Sequence, residues 1–233
     1  MSIKTKTQKV YKNKLLTPSS PFAIAEAYRT LRTNLLYSGH ADKTSVYAVT
    51  SAAPNEGKTL NCANIAISFS QLGKRVLIID LDMRNPSQHK TFDLQNAGGA
   101  SEFLAGVADI PNVQKTLYEN LHLMCAGRVP PDPSELLYSE KFKNLIEMAK
   151  QRYDVVFLDL PPAGLFSDAA IIADQVTGYI MVLEADVSDS KVVLDAISTI
   201  ETAKGNILGC VLNGVDPKHD KSYHSKYNYY CSK

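Results

Sequence analysis

The chain has 233 residues, 45% of them hydrophobic and 21% charged. That supplies one sizeable core and excludes wholesale disorder. The 25 basic and 24 acidic residues leave a formal net charge of +1. So even a balance argues against a nucleic-acid coat, and no nucleic-acid partner is expected. No apolar run reaches the ~18 residues of a membrane helix. The best stretch, Leu165 to Leu183, is interrupted by Asp168, Asp174 and Gly178. The lysine-rich N-terminus lacks an apolar signal core, so the chain is expected to be soluble and cytoplasmic. The cysteines Cys62, Cys125, Cys210 and Cys231 have no metal-type spacing. They read as reduced thiols, most of them buried.

In chain order, residues 1–25 carry five lysines (Lys4, Lys6, Lys9, Lys12, Lys14) and no acid. Residues 1–20 are assigned as a mobile basic segment, either simply solvated or touching anionic lipid or a membrane adaptor. Residues 21–215 form a single domain. Ile24, Ala27, Tyr28, Leu31 and Leu35 recur at helical spacing between Pro21 and Tyr37. A short β-rich run, 45–50, leads through a loop to a helix from about Thr59 to Leu72, stopped by Gly73. Residues 75–80 and 154–159 are apolar runs that end in an acid. Strands are also expected at 121–125, 178–183 and 207–212. Helices are expected at 139–152, with Ser139 as N-cap, and near 188–203. Strands without polar alternation are buried on both faces, with helices between them as cover. The fold class is therefore α/β, a doubly wound, mostly parallel sheet flanked by helices. In such folds ligands bind beyond the carboxyl ends of the strands. The loop 51–59, Asp80 and Asp159 should converge there.

The loop Ser51-Ala-Ala-Pro54-Asn55-Glu56-Gly57-Lys58-Thr59 ends as a P-loop does, although the first glycine of the usual pattern is missing. Gly57 allows close backbone approach to phosphate, and the loop and helix N–H groups form a positive cradle. Lys58 would reach the β and γ phosphates of ATP, and the Thr59 hydroxyl would ligate Mg²⁺. Asp80 and Asp82 follow one buried strand, two residues apart, and Asp159 ends another. Three carboxylates around one phosphate site would be destabilising without a cation; with Mg²⁺ they become one or two ligands and a base. Arg84 assists phosphate charge or braces its loop. Asn213, at the end of the last strand, contacts adenine or caps structurally.

The segment 216–233 reads as a flexible tail. Tyr223, Tyr227, Tyr229 and Tyr230 fall there without core periodicity. As kinase substrates, four phosphotyrosines would turn the tail's charge from +2 to about −4 to −6.

Taken in order, several segments resemble the bacterial tyrosine kinases of capsule and exopolysaccharide assembly, over nearly the whole chain. They are Glu26-Ala-Tyr-Arg29-Thr-Leu-Arg32-Thr-Asn34, Pro54-Asn-Glu-Gly-Lys-Thr59, Ile79-Asp80-Leu-Asp82-Met-Arg84, Gly127-Arg-Val-Pro-Pro131-Asp-Pro-Ser-Glu-Leu136, Leu158-Asp159-Leu-Pro161-Pro162 and the tyrosine cluster. The resemblance implies a cytoplasmic P-loop kinase that uses ATP and Mg²⁺ and autophosphorylates its tail in trans within a ring-shaped homo-oligomer. In the Gram-positive type, which this chain resembles, the activating membrane adaptor is a separate chain that recruits the kinase to the inner face of the membrane. A cognate tyrosine phosphatase is a further implied partner. By the same resemblance, Glu26, Arg29 and Arg32 lie at the subunit contact. Lys58 is the phosphate lysine, Thr59, Asp82 and Asp159 serve the metal, and Asp80 accepts the tyrosine proton. The roles of Asp80 and Asp82 remain interchangeable at this stage. Asn55, Leu60 and Leu160 depart from the commoner family residues. The competing readings are a partition-type P-loop ATPase and a non-enzymatic regulator of assembly.

Overall fold

The computed structural model describes residues 14–38 and 44–215. The tail tyrosines Tyr223, Tyr227, Tyr229 and Tyr230 lie outside the described residues, as do Lys4, Lys6, Lys9 and Lys12. The elements are α1 (Phe22–Ser38), β1 (Ser45–Ser51), α2 (Lys58–Ser70), β2 (Val76–Asp80), α3 (Gln88–Phe92) and α4 (Ala100–Leu104). They continue through β3 (Gln114–Lys115), β4 (Leu121–Met124), α5 (Pro133–Tyr138), α6 (Glu140–Arg152) and β5 (Val155–Asp159). The last are α7 (Asp168–Ile171), β6 (Gly178–Glu184), α8 (Ser190–Thr202) and β7 (Ile207–Asn213).

Seven strands form one sheet in the order β3-β4-β2-β5-β1-β6-β7. Every pairing is parallel except β3 with β4. Strand side chains alternate between the faces, and here both faces are covered. Val46, Ala48, Leu77, Ile79, Val156 and Leu158 meet Phe142, Ile146, Ala196 and Ile200 of α6 and α8. Tyr47, Val49, Val76, Ile78 and Phe157 meet α2, Leu35 of α1 and Phe92 of α3. Two-sided burial explains why these strands read as continuous apolar runs.

Residues 14–20 fall within the segment read as a mobile basic head; of these, Leu15 and Leu16 are docked. Leu15 and Leu16 are buried in the α1–α2 cluster. Asn64 accepts from the Leu16 N–H at 2.8 Å and donates to the Lys14 carbonyl at 3.1 Å. Two adjacent leucines gain more from that apolar cluster than from water, and Asn64 satisfies the backbone that follows them in. Of the cysteines among the described residues, Cys62 and Cys125 are buried thiols and Cys210 is exposed. The short helices α3, α4, α5 and α7 and the two-residue β3 lack a periodic signal and went unread in the sequence.

An aromatic group braces the sheet beneath the site. Phe157 of β5 lies 5.6 Å from the Tyr47 ring and 5.5 Å, edge-on, from Phe69 of α2. The Tyr47 hydroxyl donates to the Leu35 carbonyl at 2.6 Å and so ties α1 to the same cluster. Phe157→Ala should lower unfolding free energy by about 3–5 kcal/mol, the range for emptying a fully buried aromatic position. Urea denaturation checks this: the midpoint should fall with the slope unchanged.

Candidate active site

The sheet order places β2, β5 and β1 side by side, so the segments leaving their carboxyl ends meet. Asp80 and Asp159 are register partners at that edge. The loop after β1 runs into α2 through Asn55, with φ 67, and Gly57, with φ 89. Both sit in the left-handed region, which asparagine tolerates better than most side chains. A Cβ on Gly57 would lie 2.3 Å from Asn213 Nδ2, so any other residue would also have to displace that amide.

The three 13-residue helices differ at their starts. α6 and α8 are capped by the Ser139 and Asp189 side chains, as read for Ser139. α2, of the same 13 residues, has Gly57 at its N-cap and no side-chain cap. Its leading N–H groups therefore remain for an anion, favoured by the helix dipole.

Lys58, the first residue of α2, turns toward the carboxylates. Its Nζ is 2.6 Å from Asp82 Oδ2 and 3.9 Å from Asp159 Oδ1. Burial pulls the ammonium pKa down, but Asp159 and Asp82 outweigh that and raise it. Asp159 is wholly buried, and burial raises its pKa against the opposing pull of Lys58. Asp80 is held well above the carboxylate range by burial and by Asp159. Its two oxygens accept from the backbone N–H groups of Asp82, Ser87 and Gln88, at 3.2, 3.2 and 3.0 Å. Asp82 bonds Lys58 and accepts from the Asn85 N–H. The two acids are thus distinguished: one organises its own loop and the other faces the lysine.

Hard oxygen donors are present for Mg²⁺. Thr59 Oγ1 lies 3.2 Å from Ser87 Oγ and 3.4 Å from Lys58 Nζ. Asp159 Oδ1 is buried with no hydrogen-bond partner. An orphaned carboxylate oxygen beside a hydroxyl suits a cation or its water shell. Among the described residues, no three or more His, Cys, Asp or Glu are arranged to hold a metal by themselves. Mg²⁺ commonly binds through one or two protein oxygens plus substrate phosphates, so this set fits it.

The wall of the loop is built by Glu56, nearly buried. Its Oε2 accepts from the Ala53 N–H at 2.8 Å, and its Oε1 accepts from the Ser188 hydroxyl. Asn213 Nδ2 donates to the Glu56 carbonyl at 3.2 Å and to Glu184 Oε2 at 2.6 Å. In this conformation Asn213 therefore caps the phosphate loop. Pro54 is exposed at the loop's outer side. On the far side, Tyr28 donates to Asn61 Oδ1 at 2.9 Å, and Asn61 Nδ2 donates to the Gly57 carbonyl at 3.0 Å. Glu26 and Arg29 form an exposed pair at 2.9 Å within α1. Arg32 instead donates to the Ser68 carbonyl of α2 at 2.6 Å.

Arg84 braces its loop. Its guanidinium bonds Ser134 Oγ at 2.8 Å and both oxygens of buried Asp168 at 3.3 and 3.4 Å. It also lies 4.4 Å from the centre of the Phe166 ring. Ser134 donates to Asp168 at 2.7 Å, which explains one residue of the Pro-Ser-Glu-Leu segment. The sequence assigns no role to Asp168, Ser134 or Gln88, since their partners are 84, 50 and 71 residues away.

The chain is similar to several known proteins. A family model described as an AAA domain matches residues 46–207. The chain is similar to the tyrosine-protein kinase YwqD of Bacillus subtilis, 35% identical over 210 residues, 90% of this chain and 87% of that protein. It is similar to the putative tyrosine-protein kinase CapB of Staphylococcus aureus, 35% identical over 205 residues, 88% of this chain and 90% of that protein. Among solved structures it resembles the kinase domain of the Escherichia coli tyrosine kinase ETK, with TM-score 0.80, 33% identity, and 84% and 78% of the two chains covered. It also resembles the chimerical protein CapA2B2, with TM-score 0.78, 33% identity, and 85% and 87% covered. The septum site-determining protein MinD of Pyrococcus horikoshii, complexed with Mg-ADP, shares the fold at TM-score 0.63 and 22% identity over 77% of each chain.

Removing Arg84 strands Asp168 as an unpaired buried carboxylate. Arg84→Ala should cost about 3 kcal/mol or somewhat less, because the arginine is partly exposed. Adding Asp168→Asn should recover part of that loss. A double-mutant cycle in urea should give a coupling of about 1 kcal/mol or more.

Proposed function

We propose the following chemistry for this chain, which belongs to the bacterial tyrosine-protein kinase family: it transfers the γ-phosphoryl group of ATP to tyrosine hydroxyls, its own tail cluster among them, in trans. The observation that carries this reading is the uncapped start of α2, whose first residue Lys58 meets Asp82 and the strand-terminal Asp159, in a chain of this family.

The loop from Pro54 to Thr59 and the leading N–H groups of α2 would hold the phosphates, with Gly57 giving the close approach. Lys58 would exchange Asp82 for the phosphate oxygens. Thr59, Asp82 and Asp159 would hold Mg²⁺ or its waters. That ion supplies charge neutralisation on the transferred group and the leaving ADP. The phenol oxygen bonds to the γ phosphorus as the bond to the ADP oxygen breaks, and the phenol proton passes to a carboxylate. Phosphoryl transfer is loose, so that proton is needed only late. Asp80 is the assigned acceptor, and burial together with Asp159 raises its proton affinity. To serve, it must release the backbone N–H groups it now holds. Asp82, once Lys58 has moved to phosphate, is the second candidate. Asn213 stands beside the loop, within reach of a nucleotide seated on it.

The reading extends to regulation of capsule or exopolysaccharide synthesis and export. It places the kinase at the inner face of the membrane through an adaptor on a separate chain, in a ring-shaped homo-oligomer opposed by a cognate tyrosine phosphatase. No helix among the described residues is long and apolar enough to cross a membrane. One observation supports the homo-oligomer. α1 presents Glu26, Arg29, Phe22 and Ile24 outward, where the charged pair is free to exchange partners with a neighbouring subunit. Arg32 would join that contact by leaving Ser68. A partition-type ATPase is not favoured, because the septum-site neighbour is like this chain in fold alone, and neither is a non-enzymatic assembly regulator.

Incubation with MgATP, followed by mass spectrometry, should find phosphotyrosine among Tyr223, Tyr227, Tyr229 and Tyr230. Lys58→Met should remove that signal and weaken ADP binding at least about tenfold, about 1.4 kcal/mol. ATP hydrolysis without phosphotyrosine, even with the adaptor present, would count against the kinase reading.

A further inference from the structure

Gln88 lies outside every motif read from the sequence, yet it is wholly buried and touches each arm of the phosphate site. Its backbone N–H donates to Asp80 Oδ2 at 3.0 Å. Its side-chain Nε2 donates to Asp159 Oδ2 at 3.0 Å and to the Thr59 carbonyl at 3.1 Å. One residue thus bonds the ends of β2 and β5 and the first turn of α2.

A purely structural tie would leave no acceptor wanting. Here two are wanting. Gln88 Oε1 and Asp159 Oδ1 are both buried without a hydrogen-bond partner. A buried acceptor without a donor is costly, and two in one bonded pair of side chains are rare. The cost disappears when donors arrive, and water held by a cation is a donor. The division within Asp159 is also informative. Gln88 occupies Oδ2, so Oδ1 is the oxygen left facing Lys58 at 3.9 Å, on the side of the phosphate loop. A second hydrogen bond that fixes a carboxylate's orientation commonly matters about 10–100-fold to the metal the carboxylate serves.

We propose that Gln88 is a positioning residue for the metal–nucleotide complex: it clamps Asp159 Oδ2 and the Thr59 carbonyl so that Asp159 Oδ1 and the Thr59 hydroxyl are presented together to the metal's inner or water shell. The inference rests on the reading of this site as one for Mg²⁺ and nucleotide.

Mn²⁺ serves as the probe, followed by electron paramagnetic resonance during titration into the ADP-loaded full chain. Gln88→Met keeps the length and apolar stem but removes the donor. It should weaken Mn²⁺ binding about 10–100-fold, while ADP affinity in EDTA changes little. Equal Mn²⁺ affinity in the two proteins overturns the inference alone. So does a parallel loss of metal-free ADP binding, which marks a packing defect. Absence of Mn²⁺ binding in the unaltered ADP complex overturns the site reading and the inference together. A second measurement needs no substitution. The Gln88 side-chain amide resonances of the ADP complex should shift when Mg²⁺ is added, and amide resonances that stay in place overturn the proposal.

Discussion

One ammonium group among three buried carboxylates sets the terms for the rest of this molecule. Lys58 is the cation among Asp80, Asp82 and Asp159, and all four side chains are almost without solvent. Buried charges cost several kcal/mol each unless they are paired and hydrogen-bonded. Lys58 pairs closely with Asp82 and only loosely with Asp159. Asp80 survives by accepting three backbone N–H groups, and Asp159 by accepting from Gln88. The arrangement is short of positive charge. Under the proposed reading a cation would relieve that shortage, and the phosphate accompanying it would give Lys58 a new partner.

The sheet makes this crowding unavoidable. β5 lies between β1 and β2, so the loop after β1 and the strand-terminal acid of β2 each leave the same edge one strand spacing from Asp159 at the end of β5. Hydrophobic burial on both faces holds the three strands in that order, and the polar ends have nowhere else to go. The outer parts of the site are held by ties to more distant chain segments. Arg84 is clamped by Ser134 and Asp168, Glu56 is bonded to Ser188, and Asn213 bridges Glu56 to Glu184. Each tie reaches across the chain to fix a loop that carries a reacting or binding group.

Local signals in the sequence carried the frame and the inner site. The apolar runs, the Gly-Lys-Thr ending and the strand-terminal acids are all short-range patterns, and their convergence follows from topology. The N-cap at Ser139 is equally local. What could not be read depends on long-range partners. Nothing near Gln88 says that its amide meets Asp159, and nothing near Asp168 says that it holds Arg84. Arg84 itself was open between phosphate and loop, because both roles need the same side chain at the same place. Leu15 and Leu16 were masked by the lysines around them: charge density marked the segment, while two apolar side chains decided where its end sits.

The residues that depart from the commoner family pattern show how the site absorbs substitution. Asn55 stands where glycine is usual and takes φ 67, a conformation asparagine reaches at modest cost because its short polar side chain suits the left-handed region. Leu60 gives up a hydroxyl near phosphate but packs against the apolar cluster beneath α2. Leu160 is wholly buried in the opposite cluster, directly after Asp159. In each case a polar or flexible role is lost and the backbone path is kept. Under the proposed reading that trade would be tolerable, because the phosphates would be met mainly by backbone N–H groups that these three residues keep. It would not be tolerable at Gly57, where the left-handed φ and the Asn213 amide both oppose a side chain, or at Lys58, the cation that the three carboxylates surround.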